Sequence, residues 1–276
     1  MSATAAPVSP QWLRLREGAD AAARSVGLAR AVRAPGHGAP WVVHDLGSGT
    51  GSMGRWLGRH LGGPQHWVLH DHDPALLEVA RDDPPVSADG SPVTVETRRD
   101  DIGRLRAADL LGATLVTASA LLDVLTADEL EQVVRACVMA GVPALLALSV
   151  TGRVRWSPTE PMDRVLGAAF DDHQRRTTPR GPLLGPDAPR CAVEAFDALG
   201  AHVAVRDSPW LLDEREQSLG GQWLEGWVAA AVEQRPELDA AAETYLARRT
   251  TQLRRGRARV RVHHVDLLAV PPGGSG

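Results

Sequence analysis

Carboxylates stand where apolar runs of the chain end. Asp45 follows Trp41-Val42-Val43-His44, Asp71 follows His66-Trp67-Val68-Leu69-His70, and Asp101 lies just beyond Val93-Thr94-Val95-Glu96-Thr97. Between the first and the second lies Gly47-Ser48-Gly49-Thr50-Gly51-Ser52-Met53-Gly54, whose glycines let a ligand approach the main chain and let φ turn positive. An acid at the end of a second strand suits a ribose, because one carboxylate accepts hydrogen bonds from both vicinal hydroxyls. An acid ahead of the glycine run suits a ligand with an ammonium group and no phosphate. The stretch Gly49 to Gly54 also satisfies GxGxxG, the dinucleotide fingerprint, which alone is a weak signal. His70-Asp71-His72-Asp73 has the composition of a metal cluster, since alternate residues of a strand share a face. The end of strand two already accounts for its acid, and no metal is expected.

These groups need a scaffold that gathers strand ends. An apolar start, a glycine turn and the Trp56-Leu57, Leu61 spacing form the opening of a βαβ unit, and Gly62-Gly63-Pro64 ends its helix. The pattern repeats: strand 66–70 and helix 75–81, strand 93–97 and helix 103–111, strand 113–118 and a helix begun at Thr126. That last helix carries Leu130, Val133, Val134 and Val138 on one stripe and stops at Gly141. Residues 142–150 are nearly all apolar, as a central parallel strand buried on both faces would be. The alternation predicts an α/β, doubly wound, Rossmann-like sheet. Ahead of it, residues 11–33 have a helical pattern interrupted at Gly18 and Gly27, either closing over a ligand site or simply packed on the sheet.

From Gly152 the regularity stops. His173 is a candidate general base, an imidazole able to accept a proton near neutrality, or else a solvated loop histidine. Asp123, after the fourth strand, either orients or deprotonates a substrate or caps the following helix. Arg175, Arg176 and Arg180 either hold an anion or form a solvated face. A helix at 190–199 leads to a sixth strand at 201–206. Leu219, Trp223 and Trp227 then recur every four residues, as a core stripe or as the wall of an aromatic pocket with Trp156 and Trp210. A helix from Pro236 ends in the arginine-rich stretch Arg248 to Arg257, which suits RNA or merely a helix C-terminus. Residues 259–268 read as a last strand.

The phrase Asp45-Leu46-Gly47-Ser48-Gly49-Thr50-Gly51 resembles motif I of the class I S-adenosylmethionine (SAM) methyltransferases, an acid followed by GxGxG. The resemblance implies a mostly parallel sheet whose seventh strand is antiparallel and inserted between the fifth and sixth. It implies SAM as cofactor, bound by Asp45, Gly47, Ser48, Gly49 and Gly51, with Asp71 and His72 at the ribose. Asp101 and Ile102 would take the adenine, the former also suiting a helix N-cap, and Ser119 stands at the motif IV position. Ala118 to Asp123, Ala169 to Arg176, Gly181 to Ala188 and Ser208-Pro209-Trp210 are similar to a bacterial group of such proteins with no assigned substrate. Thr177-Thr178-Pro179-Arg180 stands where many of that group carry Lys-Gly-Phe-Gly. Gln174, Arg175 and Trp210 are the candidate substrate contacts, and His173 and Asp123 the candidate catalytic groups. No Asp/Asn-Pro-Pro-Tyr or Pro-Cys nucleophile is present, nor the asparagine of a catechol-type metal site.

All 30 strong bases are arginine, and the chain contains neither lysine nor asparagine, which discounts local arginine clusters as functional signals. A net charge of -4 argues against a general nucleic-acid binder. Cys137 and Cys191 are expected as reduced thiols. Residues 1–10 lack a signal-peptide pattern, and no apolar run approaches the ~20 residues of a membrane span, so a soluble cytoplasmic protein is expected. The expected division is an N-terminal helical cap (1–38), a methyltransferase domain (39–270) and a disordered tail (271–276). Within the domain, a SAM-binding half (39–150) precedes a substrate-side half with helical insertions (151–256). The expected function is methyl transfer by in-line displacement to a small-molecule acceptor. An NAD-dependent oxidoreductase, a non-catalytic SAM-binding protein and an RNA methyltransferase are the alternatives.

Overall fold

Valine, leucine and tryptophan runs form the sheet, and glycines and prolines punctuate it. The computed structural model describes residues 9–36 and 38–273. In chain order the elements begin with α1 (Pro10–Ala23), α2 (Val26–Ala31), β1 (Trp41–Leu46), α3 (Ser52–Gly58), β2 (Gln65–Asp71), α4 (Pro74–Asp82) and β3 (Val93–Arg99). They continue with β4 (Leu115–Ser119), α5 (Ala127–Ala140), β5 (Ala144–Ser157), α6 (Pro161–Gln174), and the short pair β6 (Thr177–Thr178) and β7 (Gly181–Pro182). The last are α7 (Ala188–Ala198), β8 (His202–Asp207), β9 (Trp210–Leu212), α8 (Gln217–Gln234), α9 (Asp239–Arg254) and β10 (Arg259–Val270).

The main sheet runs β3-β2-β1-β4-β5-β10-β8, with β9 added to β10. β1 pairs in parallel with β2 and β4, and β4 with β5; β10 lies antiparallel between β5 and β8. The expected reversed strand is therefore in place. One face of the sheet packs on α5 and α7 through residues such as Leu46, Val116, Leu146 and Phe196. The other packs on α2, α3 and α4 through Val43, Met53, Leu57 and Trp67. A further core of Trp156, Leu166, Trp227 and Tyr245 joins α6, α8 and α9 to β9 and to the ends of β5 and β10.

The local signals explain most boundaries. Thr126 caps α5: its Oγ1 accepts the Glu129 N–H at 3.3 Å, while Glu129 Oε2 accepts the Thr126 N–H at 2.9 Å. Gly141, with φ at 68°, closes the same helix as expected. Asp123 is thus not its cap.

Several expectations are corrected. No α-helix covers 103–111; Asp101 accepts the Gly103 N–H and Asp109 the Arg106 N–H, each closing a separate 3₁₀ turn. The fifth strand does not stop near Gly152. It continues to Ser157 because β10 is long enough to pair with it, Val262 opposite Val154 and Arg259 opposite Ser157. The N-terminal helices break at Arg24 and Ser25, not at glycine: Ser25 caps α2, and its own N–H goes to Asp266 Oδ2 at 2.6 Å. His173 lies in the last turn of α6 and not in a loop. Of the expected tail, Pro271 is buried, and residues 274–276 lie outside the described residues. The signal-peptide reading of the N-terminus falls mostly on residues 1–8, also outside them. Among the described residues no helix is long and apolar enough to cross a membrane.

Candidate functional site

Parallel strands deliver loops to one edge of a sheet, and the crevice beyond their carboxyl ends is where such sheets bind ligands. Here a cavity of about 720 Å³ opens at that edge. The β1–α3 turn forms its floor. Gly47 has φ at 61°, and a Cβ there would stand 2.8 Å from Leu121 Cδ1. At Gly49, φ 54°, a Cβ would come within 3.1 Å of Leu13 Cδ1. The turn therefore needs glycine for conformation and for space alike.

Asp45 is wholly buried at the end of β1. Its Oδ1 accepts the Thr117 hydroxyl at 2.7 Å, and its Oδ2 has no partner among the described residues. Burial pushes this carboxyl up to about 7, with the Thr117 hydrogen bond and the Arg24 charge opposing. Asp71 is held by the turn: Oδ2 accepts the Gly49 N–H at 2.9 Å and Oδ1 the Asp73 N–H at 3.0 Å. His72 Nδ1 lies 3.3 Å from the same carboxylate on an exposed side chain. Ser48 has a buried hydroxyl without a partner among the described residues, whereas Ser119 Oγ already accepts from Arg24 at 2.9 Å. Ile102 is half-buried beside Gly47, and Asp101 is exposed next to it. Asp45, Gly47, Ser48, Gly49, Asp71, His72, Asp101, Ile102 and Ser119 line the cavity; Thr117, Arg24 and Gly51, the N-cap of α3, do not.

The chain's other half closes the cavity. Trp12, Leu13, Arg16 and Asp20 face it from α1, Phe170 and Gln174 from α6, Trp210 from β9, Trp223 from α8 and His264 from β10. The helix α1 is fastened to both halves. Glu17 meets Arg55 in two bonds of 2.7 Å, and Asp20 Oδ1 accepts the Trp210 indole N–H at 3.0 Å. The fully covered Arg24 donates to Ser52 Oγ at 3.1 Å. Asp123 contributes a buried Oδ1 without a partner from the other described residues, and burial pushes this carboxyl up to about 6.

Other expected site residues are placed elsewhere. His173 turns to α8, its Nε2 3.3 Å from Glu233 Oε2, because Phe170 and Gln174 occupy the helix face toward the cavity. Arg175 is spent on Asp187 at 2.6 Å. Of the tryptophans, Trp210 and Trp223 line the cavity, while Trp156 and Trp227 belong to the neighbouring core. The arginine-rich end of α9 turns inward in part: Arg249 is buried, donates to Asp163 at 2.6 Å and lies 4.5 Å from the Trp156 ring centre. His70, read above as part of a metal-like cluster, faces Asp100 at 2.9 Å and His44 at 3.0 Å. Trp12, Arg16 and Asp20 become candidates only in the structure, although a spacing of four marks one helix face. So do Thr117 and His264, for which the sequence holds no comparable sign.

The chain matches no family model and no curated protein. Among solved structures it is similar to a SAM-dependent methyltransferase from Geobacter sulfurreducens in complex with S-adenosyl-L-homocysteine: 18% identity over 95% of this chain and 91% of that one, TM-score 0.43. A SAM-dependent methyltransferase from Thiobacillus denitrificans, in complex with the same ligand, is 15% identical over 97% and 94%, with a TM-score of 0.42. The cyclopropane synthase MmaA2 from Mycobacterium tuberculosis is 13% identical over 88% and 81%, with a TM-score of 0.47. At these scores the likenesses stand beside the topology without adding to it. The strand order itself, with the last strand reversed and inserted next to the edge, is that of the class I methyltransferase fold.

Proposed function

We propose that the chain binds SAM at the glycine turn and transfers its methyl group to a small-molecule acceptor in the ring-walled half of the same cavity. The observation that carries this reading is the free Oδ2 of Asp45, a buried carboxylate oxygen beside a turn built of positive-φ glycines. The ammonium of an amino-acid group satisfies such an oxygen, whereas a dinucleotide diphosphate would meet a like charge there. Asp71, oriented by two main-chain N–H groups, would accept from the ribose hydroxyls. Asp101 and Ile102 would take the amino group and the face of an adenine. Gly47, Ser48 and Gly49 would border the amino-acid part.

When bound, the cofactor supplies a sulfonium methyl already activated for in-line displacement. What remains for the chain is alignment, exclusion of water and a place for a proton. α1 supports the first two by closing the cavity from above the turn. Asp123, with an unpartnered oxygen in the same cavity, supports the third. Of the basic stretch, Arg249 is used internally and Arg248 pairs with Glu160, whereas Arg254, Arg255 and Arg257 are exposed.

Calorimetric titration with SAM, S-adenosylhomocysteine (SAH) and NADH tests the reading, with Asp71→Ala as control. Micromolar binding of the adenosyl ligands, lost in the variant, is expected. Binding of NADH alone would overturn it.

A further inference from the structure

The acceptor half of the cavity has an uneven chemistry. Its walls are rings: Trp12, Phe170, Trp210 and Trp223. Its charges are largely matched within the chain. Arg16 donates to Asp20 at 2.9 Å and lies 5.0 Å from the Trp210 ring centre, and Arg180 pairs with Glu129. Arg153, the other cation of the wall, is exposed to solvent. Against this background the Oδ1 of Asp123 stands out, a buried oxygen with no hydrogen-bond partner from any other described residue. Gln174 Oε1, His263 Nε2 and His264 Nδ1, also on the cavity wall, are likewise buried without partners among the described residues.

Unsatisfied groups define what a ligand must bring. A carboxylate oxygen only accepts, so the complementary group is a hydrogen donor. An anionic ligand group would set a like charge against Asp123. A fully substituted heteroatom would leave the oxygen desolvated and unpaired. A free ammonium ion would face the guanidinium of Arg16, which already covers Trp210 and whose charge acts on both Asp123 and His264. A neutral ring has none of these conflicts, and its flat faces suit tryptophan walls.

We infer that the acceptor is a small, uncharged aromatic molecule whose nucleophile is an O–H or N–H carried on the ring. Its hydrogen is donated to Asp123, and its ring packs among Trp12, Phe170 and Trp223. The word acceptor rests on the methyltransferase reading; the binding preference does not, and is measurable without cofactor.

The test is calorimetric binding of matched naphthalene probes to the full chain: 2-naphthol, 2-naphthylamine, 2-methoxynaphthalene, 2-naphthoate and 2-naphthylmethylammonium. Either the naphthol or the naphthylamine is expected to bind at least about tenfold tighter than the methoxy compound, the ratio that a hydrogen bond to a charged group supports. Which of the two leads distinguishes oxygen from nitrogen as nucleophile. Asp123→Leu should erase the difference, and Asp123→Asn, which keeps an acceptor oxygen, should retain part of it if the fold is intact by thermal melting. Equal binding of the methoxy compound would overturn the inference. So would preference for the naphthoate or the ammonium, or no binding of any probe. SAH is titrated into the same preparations: its failure to bind would overturn the cofactor reading and leave the probe preference to decide this one.

Discussion

Thr117 on β4 donates its hydroxyl to Asp45 Oδ1 on the neighbouring β1 at 2.7 Å, and so leaves Oδ2 as the free oxygen of a buried carboxylate. The two residues are direct partners in the strand register, which fixes the carboxylate without help from a loop. Thr117→Val keeps the shape and removes the donor. It is expected to weaken SAH binding about tenfold and to lower stability by about 1–3 kcal/mol, because Asp45 then has neither oxygen satisfied. Calorimetry and thermal melting read the two effects.

The protonation of Asp45 gives binding a pH dependence of known sign. Its folded value of about 7 lies above the ordinary 3.8, so between about 4 and 7 the folded chain keeps a proton that the unfolded chain has lost. This contribution to stability is present at the acidic end and is lost as pH rises through 7. A ligand ammonium favours the charged carboxylate, so binding should expel the proton. SAH affinity is expected to rise from pH 5 to about 7 and then level off. Titrations in buffers of different ionisation enthalpy should show proton release at pH 6 and almost none at pH 8. A flat profile would contradict the role given to Asp45.

Gly47 is the turn's least replaceable position. Alanine there would hold φ at 61° and press its Cβ to 2.8 Å from Leu121. A cost of about 1–3 kcal/mol is expected from the strained conformation and the clash. The displaced Leu121 would also intrude on the floor of the cavity, so SAH binding should fall at least tenfold. Chemical denaturation and calorimetry check the pair of effects.

His173 provides the opposite case. Its ring faces Glu233 on α8, away from the cavity. His173→Ala is expected to leave SAH affinity and any methyl-transfer rate within about twofold of the parent. A large loss of rate with unchanged binding would return it to the catalytic centre.

Much of this was legible in the sequence. The doubly wound sheet follows from strand–helix alternation, and the reversed last strand, implied by the likeness at Asp45 to Gly51, takes its place between β5 and β8. The acids at strand ends were found because strand ends and loop ligands share one edge in such a sheet. Less legible was the placement of the substrate-side residues. Helix phase decided His173: Phe170 and Gln174 are one turn apart on the face that meets the cavity, and a loop reading of that stretch gives no phase at all. The long pairing of β5 with β10 was hidden because it depends on a partner more than a hundred residues away, not on local pattern. The lid residues of α1 were visible as one helix face, but nothing local says what that face covers. Thr117 gained its role only through the register of β4 on β1.

The most direct measurement compares SAH with an analogue in which hydrogen replaces the amino group, on the parent chain and on Asp45→Ala. If the free oxygen of Asp45 holds the ammonium, the parent should prefer SAH by about tenfold or more, and the variant should bind the two alike. An undiminished preference in Asp45→Ala, or equal affinities in the parent, would contradict it.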